Sequence, residues 1–100
     1  MSDTRGSLKE RVGTQKQEPT LYKVILLNDD YTTMEFVVAV LESVFQKSPA
    51  EAYRVMMQVH QQGRGIAGVY PWEVAETKAA TVCDQAKGAG FPLKAVTEEA

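Results

Sequence analysis

Residues 21–27, LYKVILL, form an apolar run rich in branched side chains that stops abruptly at the polar residues 28–30, NDD. A short run of this kind, closed by turn-forming residues, is typical of a buried β-strand. The NDD cluster then lies where the strand ends, and apolar residues resume at Met34 and Phe36. Three interpretations fit such a cluster: a plain surface turn, a metal or catalytic carboxylate site, and a polar mouth beside an apolar pocket.

Helix-start signals follow the cluster. Thr32 precedes Glu35 by the spacing of a capping box, and apolar residues recur behind it at helical intervals. This pattern predicts a helix from about Thr33 to Phe45. A second start signal, with serine as the cap and proline at the first helical position, occurs at residues 48–49 and predicts another helix over about 49–62.

The remaining chain predicts two more strands and one more helix. Residues 65–70 are short and strand-like, and Pro71 opens a helix whose pattern fades over residues 88–90. Residues 93–97, LKAVT, alternate enough to form a last short strand. The order β-α-α-β-α-β predicts an α+β protein, a single α/β sandwich with three strands and three helices.

Composition limits the class of protein. One hundred residues with 44% hydrophobic and 24% charged content fit one globular domain over residues 21–100, while residues 1–20 lack apolar periodicity and are expected to form a flexible N-terminal arm. A formal net charge of -2 with scattered Lys and Arg argues against nucleic acid or a membrane surface as partner. The single cysteine, Cys83, cannot form an internal disulfide, and no apolar run reaches the length of a membrane span, so we expect a cytoplasmic protein.

The candidate reactive groups are Asp29, Asp30 and the only histidine, His60, which lies one turn beyond Met56 on the second predicted helix. Asn and Asp favour turns in unremarkable proteins, and a histidine at a helix C-terminus is usually structural. The chain has no HExxH motif, no Cys pair, no Gly-rich phosphate loop and no nucleophile beside a plausible base. The residues alone therefore leave the turn and the polar mouth open, and make an enzyme or metal site the weakest alternative.

Four segments occur in one order in this small chain: NDDYTTMEFV at 28–37, MMQVHQQG at 56–63, GVYPWEVAETK at 68–78 and FPL at 91–93. Together they resemble the ClpS family, bacterial adaptors that hand proteins with destabilising N-terminal residues to the Clp protease. The resemblance spans about residues 21–97. Many relatives carry Pro where this chain has Thr33, which we expect at the first helical position.

The resemblance implies a sheet of three antiparallel strands packed against three helices, no catalytic activity, no cofactor and no metal. It implies substrates that begin with Leu, Phe, Tyr or Trp, bound through a surface pocket. It also implies one protein partner, the N-terminal domain of the ClpA-type AAA+ unfoldase. The contacts to this unfoldase correspond to Glu73 and Lys78, on the third helix.

The resemblance further implies a divided pocket. The polar part receives the free α-amino group of the substrate and corresponds to Asn28, Asp29, Asp30 and His60. The apolar part receives the first side chain and corresponds to Leu26, Leu27, Thr32, Met34, Val37, Met56, Val59 and Leu93. Met34 resembles the residue that excludes side chains branched at Cβ.

Overall fold

A three-stranded antiparallel sheet with the first strand at its centre organises the molecule. The computed structural model describes residues 18–100. In chain order the elements are β1 (Leu21–Leu27), α1 (Met34–Ser43), α2 (Pro49–Gln62), β2 (Arg64–Pro71), α3 (Trp72–Ala89) and β3 (Lys94–Glu99). The predicted order β-α-α-β-α-β and the α+β class are confirmed. The predicted arm over residues 1–20 falls almost entirely outside the described residues.

The three helices share one face of the sheet. Alternate residues of the central strand, Val24 and Leu26, are fully buried in the main core together with residues of α1, α2 and α3. Ile25 is also fully buried, but it lies outside that core cluster because its side chain points to the opposite face. Within residues 18–100, the sheet therefore has one face packed by helices and one face on which no helix lies.

The start of α1 differs from the prediction. Thr33, not Thr32, is the N-cap: its backbone is extended and its hydroxyl oxygen accepts a hydrogen bond from the backbone N–H of Phe36 at 3.1 Å. The hydroxyl of Thr32 instead donates to Asp29 Oδ2 at 2.7 Å, so it is not free to cap the helix. The predictions that Thr32 caps α1 and that Thr33 occupies the first helical position are therefore wrong.

Helix α2 has the bounds that the sequence predicts. The hydroxyl of Ser48 accepts from the backbone N–H of Glu51 at 3.2 Å, and Pro49 occupies the first turn, where its missing N–H removes no helical bond. Gly63 ends the helix with a φ of 88°, a left-handed conformation that glycine adopts without steric cost. Both signals are local, which explains the accuracy of the prediction.

The contact between α2 and β2 depends on a second glycine. A Cβ placed on Gly65 would lie 2.7 Å from Val59 Cγ2, closer than real Cβ atoms approach. Glycine at this position lets β2 run close under α2 and fixes Val59 above the sheet. The other predicted bounds shift slightly: β2 and β3 are longer than 65–70 and 93–97, and α3 continues through Gly88 to end at Ala89.

Candidate functional site

An open cavity of about 260 Å³ lies where β1 ends, between the start of α1 and the second half of α2. Its lining combines polar residues of the NDD turn with apolar residues of both helices. The lining residues are Asn28, Asp29, Asp30, Thr32, Met34, Val37, Met56, Val59 and His60. All of them are among the residues for which the sequence predicts a role in binding.

Asp29 shapes the turn that forms one wall of this cavity. Its carboxylate accepts hydrogen bonds from the backbone N–H groups of Tyr31 and Thr32, at 2.8 and 2.7 Å, and from the Thr32 hydroxyl at 2.7 Å. Partial burial acts to raise the pKa of Asp29, but the hydrogen bonds from Thr32 and Tyr31 outweigh it and hold the pKa below its ordinary value of 3.8. Asp29 is thus an ionised residue whose oxygens already serve the fold.

Asn28, Asp30 and His60 form the polar mouth, a name used below for these three residues. Each is exposed, and none of their side chains makes a hydrogen bond or ion pair with any residue in 18–100. The backbone N–H of Asn28 donates to the carbonyl of Gly63 at 2.9 Å, which ties the end of β1 to the end of α2. This bond between the end of a strand and the end of a helix brings the NDD turn beside His60, although the residues are far apart in sequence.

The apolar wall of the cavity comes from the helices. Val37 of α1 and Met56 and Val59 of α2 belong to the main core and are nearly fully buried. Met34, the first residue of α1, is 43% exposed and stands at the rim. A ligand group entering the cavity therefore passes a flexible thioether side chain before it reaches the rigid part of the wall.

Three of the predicted pocket residues do not line the cavity. Leu26 is fully buried inside the main core, Leu93 is nearly so, and Leu27 is half-buried at the end of β1. The periodicity of the sequence marks such residues as apolar and buried, but it does not separate a wall residue from one packed behind it. Sequence reasoning missed one contributor, Gly63, whose carbonyl anchors the turn through a backbone contact that no motif announces.

The reactive groups do not gather into a metal-binding set. Among residues 18–100, no group of three or more His, Cys, Asp or Glu side chains lies close enough to hold a metal ion. Asp29 is engaged by its own turn, whereas the side chains of Asp30 and His60 make no hydrogen bond within residues 18–100. This arrangement offers acceptors to a cationic ligand.

Glu73 and Lys78 lie on α3 and line a separate shallow groove together with Val74 and Thr77. Lys78 is not a free surface lysine. Its ammonium donates to the carbonyl of Val44 at 2.6 Å and lies 5.8 and 5.3 Å from the ring centres of Phe45 and Tyr70. Glu73 is exposed in the first turn of α3. The two residues therefore share a surface but differ in how much they contribute to the fold.

Fold and cavity together define a small α+β domain with one wall of free acceptors and one wall of buried apolar side chains. The family model described as ATP-dependent Clp protease adaptor protein ClpS matches residues 17–96. The Clp protease adapter protein ClpS of Wolinella succinogenes is 51% identical over 98 residues, which cover 98% of this chain and 94% of the relative. That of Desulfatibacillum aliphaticivorans is 60% identical over 86 residues, 85% of this chain and 83% of the relative.

A solved structure has the same fold. Agrobacterium tumefaciens ClpS2 bound to L-phenylalaninamide superposes with a TM-score of 0.80 at 49% identity, covering 83% of this chain and all of that chain. The chain belongs to the ClpS family of Clp protease adaptor proteins. No helix within residues 18–100 is long and apolar enough to cross a membrane.

Proposed function

We propose that the cavity binds the first residue of a protein substrate, and that the chain delivers this substrate to the ClpA-type unfoldase of the Clp protease. The polar mouth holds the free α-amino group, and the apolar wall holds a large hydrophobic side chain, Leu, Phe, Tyr or Trp. The chain acts as an adaptor and catalyses no reaction. The fold of the site, its acceptors and the ligand of a relative all support this function.

The chemistry of an N-terminal ammonium explains the polar mouth. The group carries three donors and a positive charge, so it leaves water only when acceptors are aimed at it. Asn28 offers an amide oxygen, Asp30 a carboxylate and His60 a ring nitrogen. Because the three side chains make no hydrogen bond or ion pair within residues 18–100, they can turn to a ligand without breaking an existing contact.

The apolar wall supplies the second half of the affinity. Hydrogen bonds to charged groups contribute about 1.5–3 kcal/mol each, and burial of a Leu or Phe side chain adds a similar amount. Association costs at least about 4 kcal/mol, so binding in the micromolar range or tighter is expected. An internal Leu lacks the ammonium, and an N-terminal Ser lacks the apolar group. Both halves are therefore required.

The ligand of the Agrobacterium tumefaciens relative is the single observation that carries the proposal. L-phenylalaninamide has a free α-amino group, an aromatic side chain and an amide in place of the carboxylate. These are the groups that the first residue of a polypeptide presents. A relative that is 49% identical binds this compound, and this chain has acceptors beside an apolar wall in one cavity.

Binding is tested by fluorescence anisotropy with a labelled peptide that begins with Phe. The same peptide with an acetylated N-terminus is the control, and both are measured with and without a chelator. The proposal predicts binding of the free amine alone, unchanged by the chelator. Equal binding of both peptides would refute the role of the polar mouth, and binding abolished by the chelator would favour a metal site.

Delivery needs a separate assay, because a chain that binds peptides need not reach the protease. We propose that Glu73 and Lys78 contact the N-terminal domain of the unfoldase, and that the N-terminal arm helps to transfer the substrate. Deletion of residues 1–18 should leave peptide affinity unchanged and slow the degradation of a Phe-initiated substrate by the reconstituted unfoldase and protease. Unchanged degradation would exclude the arm from delivery.

A further inference from the structure

Tyr31 lies between two residues that line the cavity, but it does not line the cavity itself. Asp30 and Thr32, its neighbours in sequence, both contribute to the wall. Tyr31 is 76% exposed, the largest exposed fraction of any large hydrophobic residue in 18–100. Its Cα is about 3.8 Å from that of Asp30, since the two residues share a peptide bond. The Tyr31 ring therefore lies outside the cavity, on a residue directly beside the polar mouth.

The Tyr31 ring has no aromatic partner in the described part of the chain. Tyr22 packs edge-on against Trp72 with 5.1 Å between ring centres, and Tyr70 is tilted against Phe45 at 6.3 Å. Tyr31 takes part in none of the aromatic pairs within residues 18–100. Most of its apolar surface is thus in contact with water and is open to a ligand.

The backbone that carries this ring is fixed by the turn. Asp29 Oδ1 accepts hydrogen bonds from the backbone N–H groups of Tyr31 at 2.8 Å and Thr32 at 2.7 Å. A tyrosine on a fixed backbone has only its two side-chain torsions left to order when it contacts a ligand, so the contact has a low entropic cost. Tyr31 is therefore better suited to binding than an aromatic residue on a flexible loop.

A polypeptide held by its first residue must continue past the mouth of the cavity. In L-phenylalaninamide, the amide nitrogen takes the position that the nitrogen of a second residue has in a protein. The Cα of that second residue lies about 3.8 Å from the Cα of the first, so its side chain leaves the backbone at the mouth. The acceptors there are already engaged, Asp29 by its own turn and the polar mouth by the α-amino group of the proposed ligand. Beside them, Tyr31 and the rim residue Met34 present exposed apolar surface.

We propose that the Tyr31 ring contacts the side chain of the second substrate residue and favours a large apolar side chain at that position. This inference rests on the proposed binding of the first residue in the cavity. Because the ring is exposed, it covers only part of the second side chain, and partial burial contributes less than the full burial of the first side chain. The first residue thus decides whether a substrate binds, and the second residue adjusts its affinity.

Peptides that differ only in their second residue test this contact. Phe-Leu and Phe-Ala peptides compete with the labelled Phe-initiated peptide for the full chain, with fluorescence anisotropy as the readout. The unmodified chain should bind the Phe-Leu peptide roughly threefold more tightly, as expected when part of the leucine side chain is buried. Tyr31→Ala should reduce this ratio of affinities to about one, whereas Tyr31→Phe keeps the ring and should retain the ratio.

A shorter ligand and a second exposed tyrosine supply the controls. L-phenylalaninamide has no second residue, so Tyr31→Ala should leave its affinity unchanged. Tyr53 is 58% exposed on α2 and lines a separate groove with Met57. Tyr53→Ala therefore removes an exposed aromatic ring that does not flank the cavity-lining turn, and it should preserve the preference for Leu over Ala. Circular dichroism reports that each variant is folded.

The outcomes separate this contact from the binding of the first residue. If neither L-phenylalaninamide nor any Phe-initiated peptide binds, the proposed function fails and the Tyr31 contact fails with it. If the amide binds but the unmodified chain shows no preference for Leu over Ala, only the Tyr31 contact is overturned. The same holds if Tyr31→Ala retains the full preference, or if Tyr53→Ala loses it. A preference for Arg over Leu that disappears at high salt would show recognition of charge instead of apolar surface, and would also overturn the proposal.

Discussion

Arg64 and Glu98 form an ion pair across the face of the sheet that carries no helix, with 3.1 Å between Arg64 Nη2 and Glu98 Oε2. Arg64 pairs with Leu27 in the strand register and Glu98 pairs with Lys23, so the two residues belong to opposite edges of the sheet. Ile25 lies midway between these positions on the same face and is fully buried. Within residues 18–100 no helix packs on this face, and the register places the Arg64–Glu98 pair over Ile25, between its neighbours Ile66 and Val96.

Loss of this cover should cost more than loss of an ordinary surface ion pair. We expect Arg64→Ala to lower the free energy of unfolding by about 1 kcal/mol, since it removes the pair and uncovers Ile25. Arg54→Ala is the matched control: Arg54 pairs with Glu51 at 2.9 Å within α2, and its loss should cost about 0.3–0.5 kcal/mol. Urea unfolding measures both values. Equal costs would show that the Arg64 stem does not shield the sheet.

Substitutions of the two adjacent aspartates of the NDD turn should affect different properties, stability for Asp29 and peptide binding for Asp30. Asp29→Ala removes an acceptor that satisfies three donors, so we expect a loss of about 1–2 kcal/mol in the free energy of unfolding. Asp30→Ala should leave stability nearly unchanged, because Asp30 makes no side-chain bond within residues 18–100, but should weaken binding of a Phe-initiated peptide at least tenfold. Urea unfolding and anisotropy are measured on both variants. A larger loss of stability in Asp30→Ala than in Asp29→Ala, with peptide binding unchanged in Asp30→Ala, would contradict the proposed roles.

The stability that Asp29 contributes should depend on pH in a defined direction. Its pKa is lower in the folded chain than its ordinary value of 3.8, so the folded state favours the ionised form. This contribution is fully present above pH 3.8 and is lost as the pH falls through the lower folded value. The difference in unfolding free energy between the unmodified chain and Asp29→Asn should therefore shrink between about pH 7 and about pH 3. A constant difference would show that the carboxylate charge is not involved.

Met34 should decide which first residues enter the cavity. It stands at the rim of the cavity with 43% of its surface exposed, and side chains branched at Cβ cannot rotate past it as Leu or Phe can. We expect the unmodified chain to reject peptides that begin with Val or Ile, and Met34→Ala to bind them. Competition against the labelled Phe peptide gives the affinities. Equal affinity of the unmodified chain for Leu and Val peptides would refute this role.

The sequence predicts those elements whose ends have local signals. Helix α2 was predicted without error because Ser48, Pro49 and Gly63 act on their own neighbours. The start of α1 was not, since two adjacent threonines could cap it and a carboxylate three residues earlier engages one of them. The run LYKVILL is apolar on both faces of the strand, so it does not reveal that only one face is covered by helices.

The candidate site also combines features that the sequence predicts with features that depend on tertiary contacts. The residues of the cavity come from two segments whose patterns are visible in the chain, but their proximity depends on the bond between Asn28 and Gly63, which joins backbone atoms and leaves no trace in residue type. The resemblance places Leu26 and Leu93 in the pocket, but these two core residues do not line the cavity, whereas the core residues Val37, Met56 and Val59 do. Apolar character predicts burial, and only the packing decides which buried side chain reaches a cavity.

Substitution of Lys78 should destabilise the fold more than substitution of Glu73, whereas both substitutions should slow delivery of the substrate to the protease. Lys78 donates to the carbonyl of Val44 at the C-terminal end of α1, so Lys78→Ala should lower the free energy of unfolding by about 1–3 kcal/mol. Glu73→Ala should cost less than about 0.5 kcal/mol, because Glu73 is exposed. If both residues contact the unfoldase, both variants slow the degradation of a Phe-initiated substrate at a temperature where circular dichroism shows them folded, with peptide affinity unchanged. A defect confined to Lys78→Ala would mean that this lysine acts through the stability of α1, and that the contact with the unfoldase lies elsewhere.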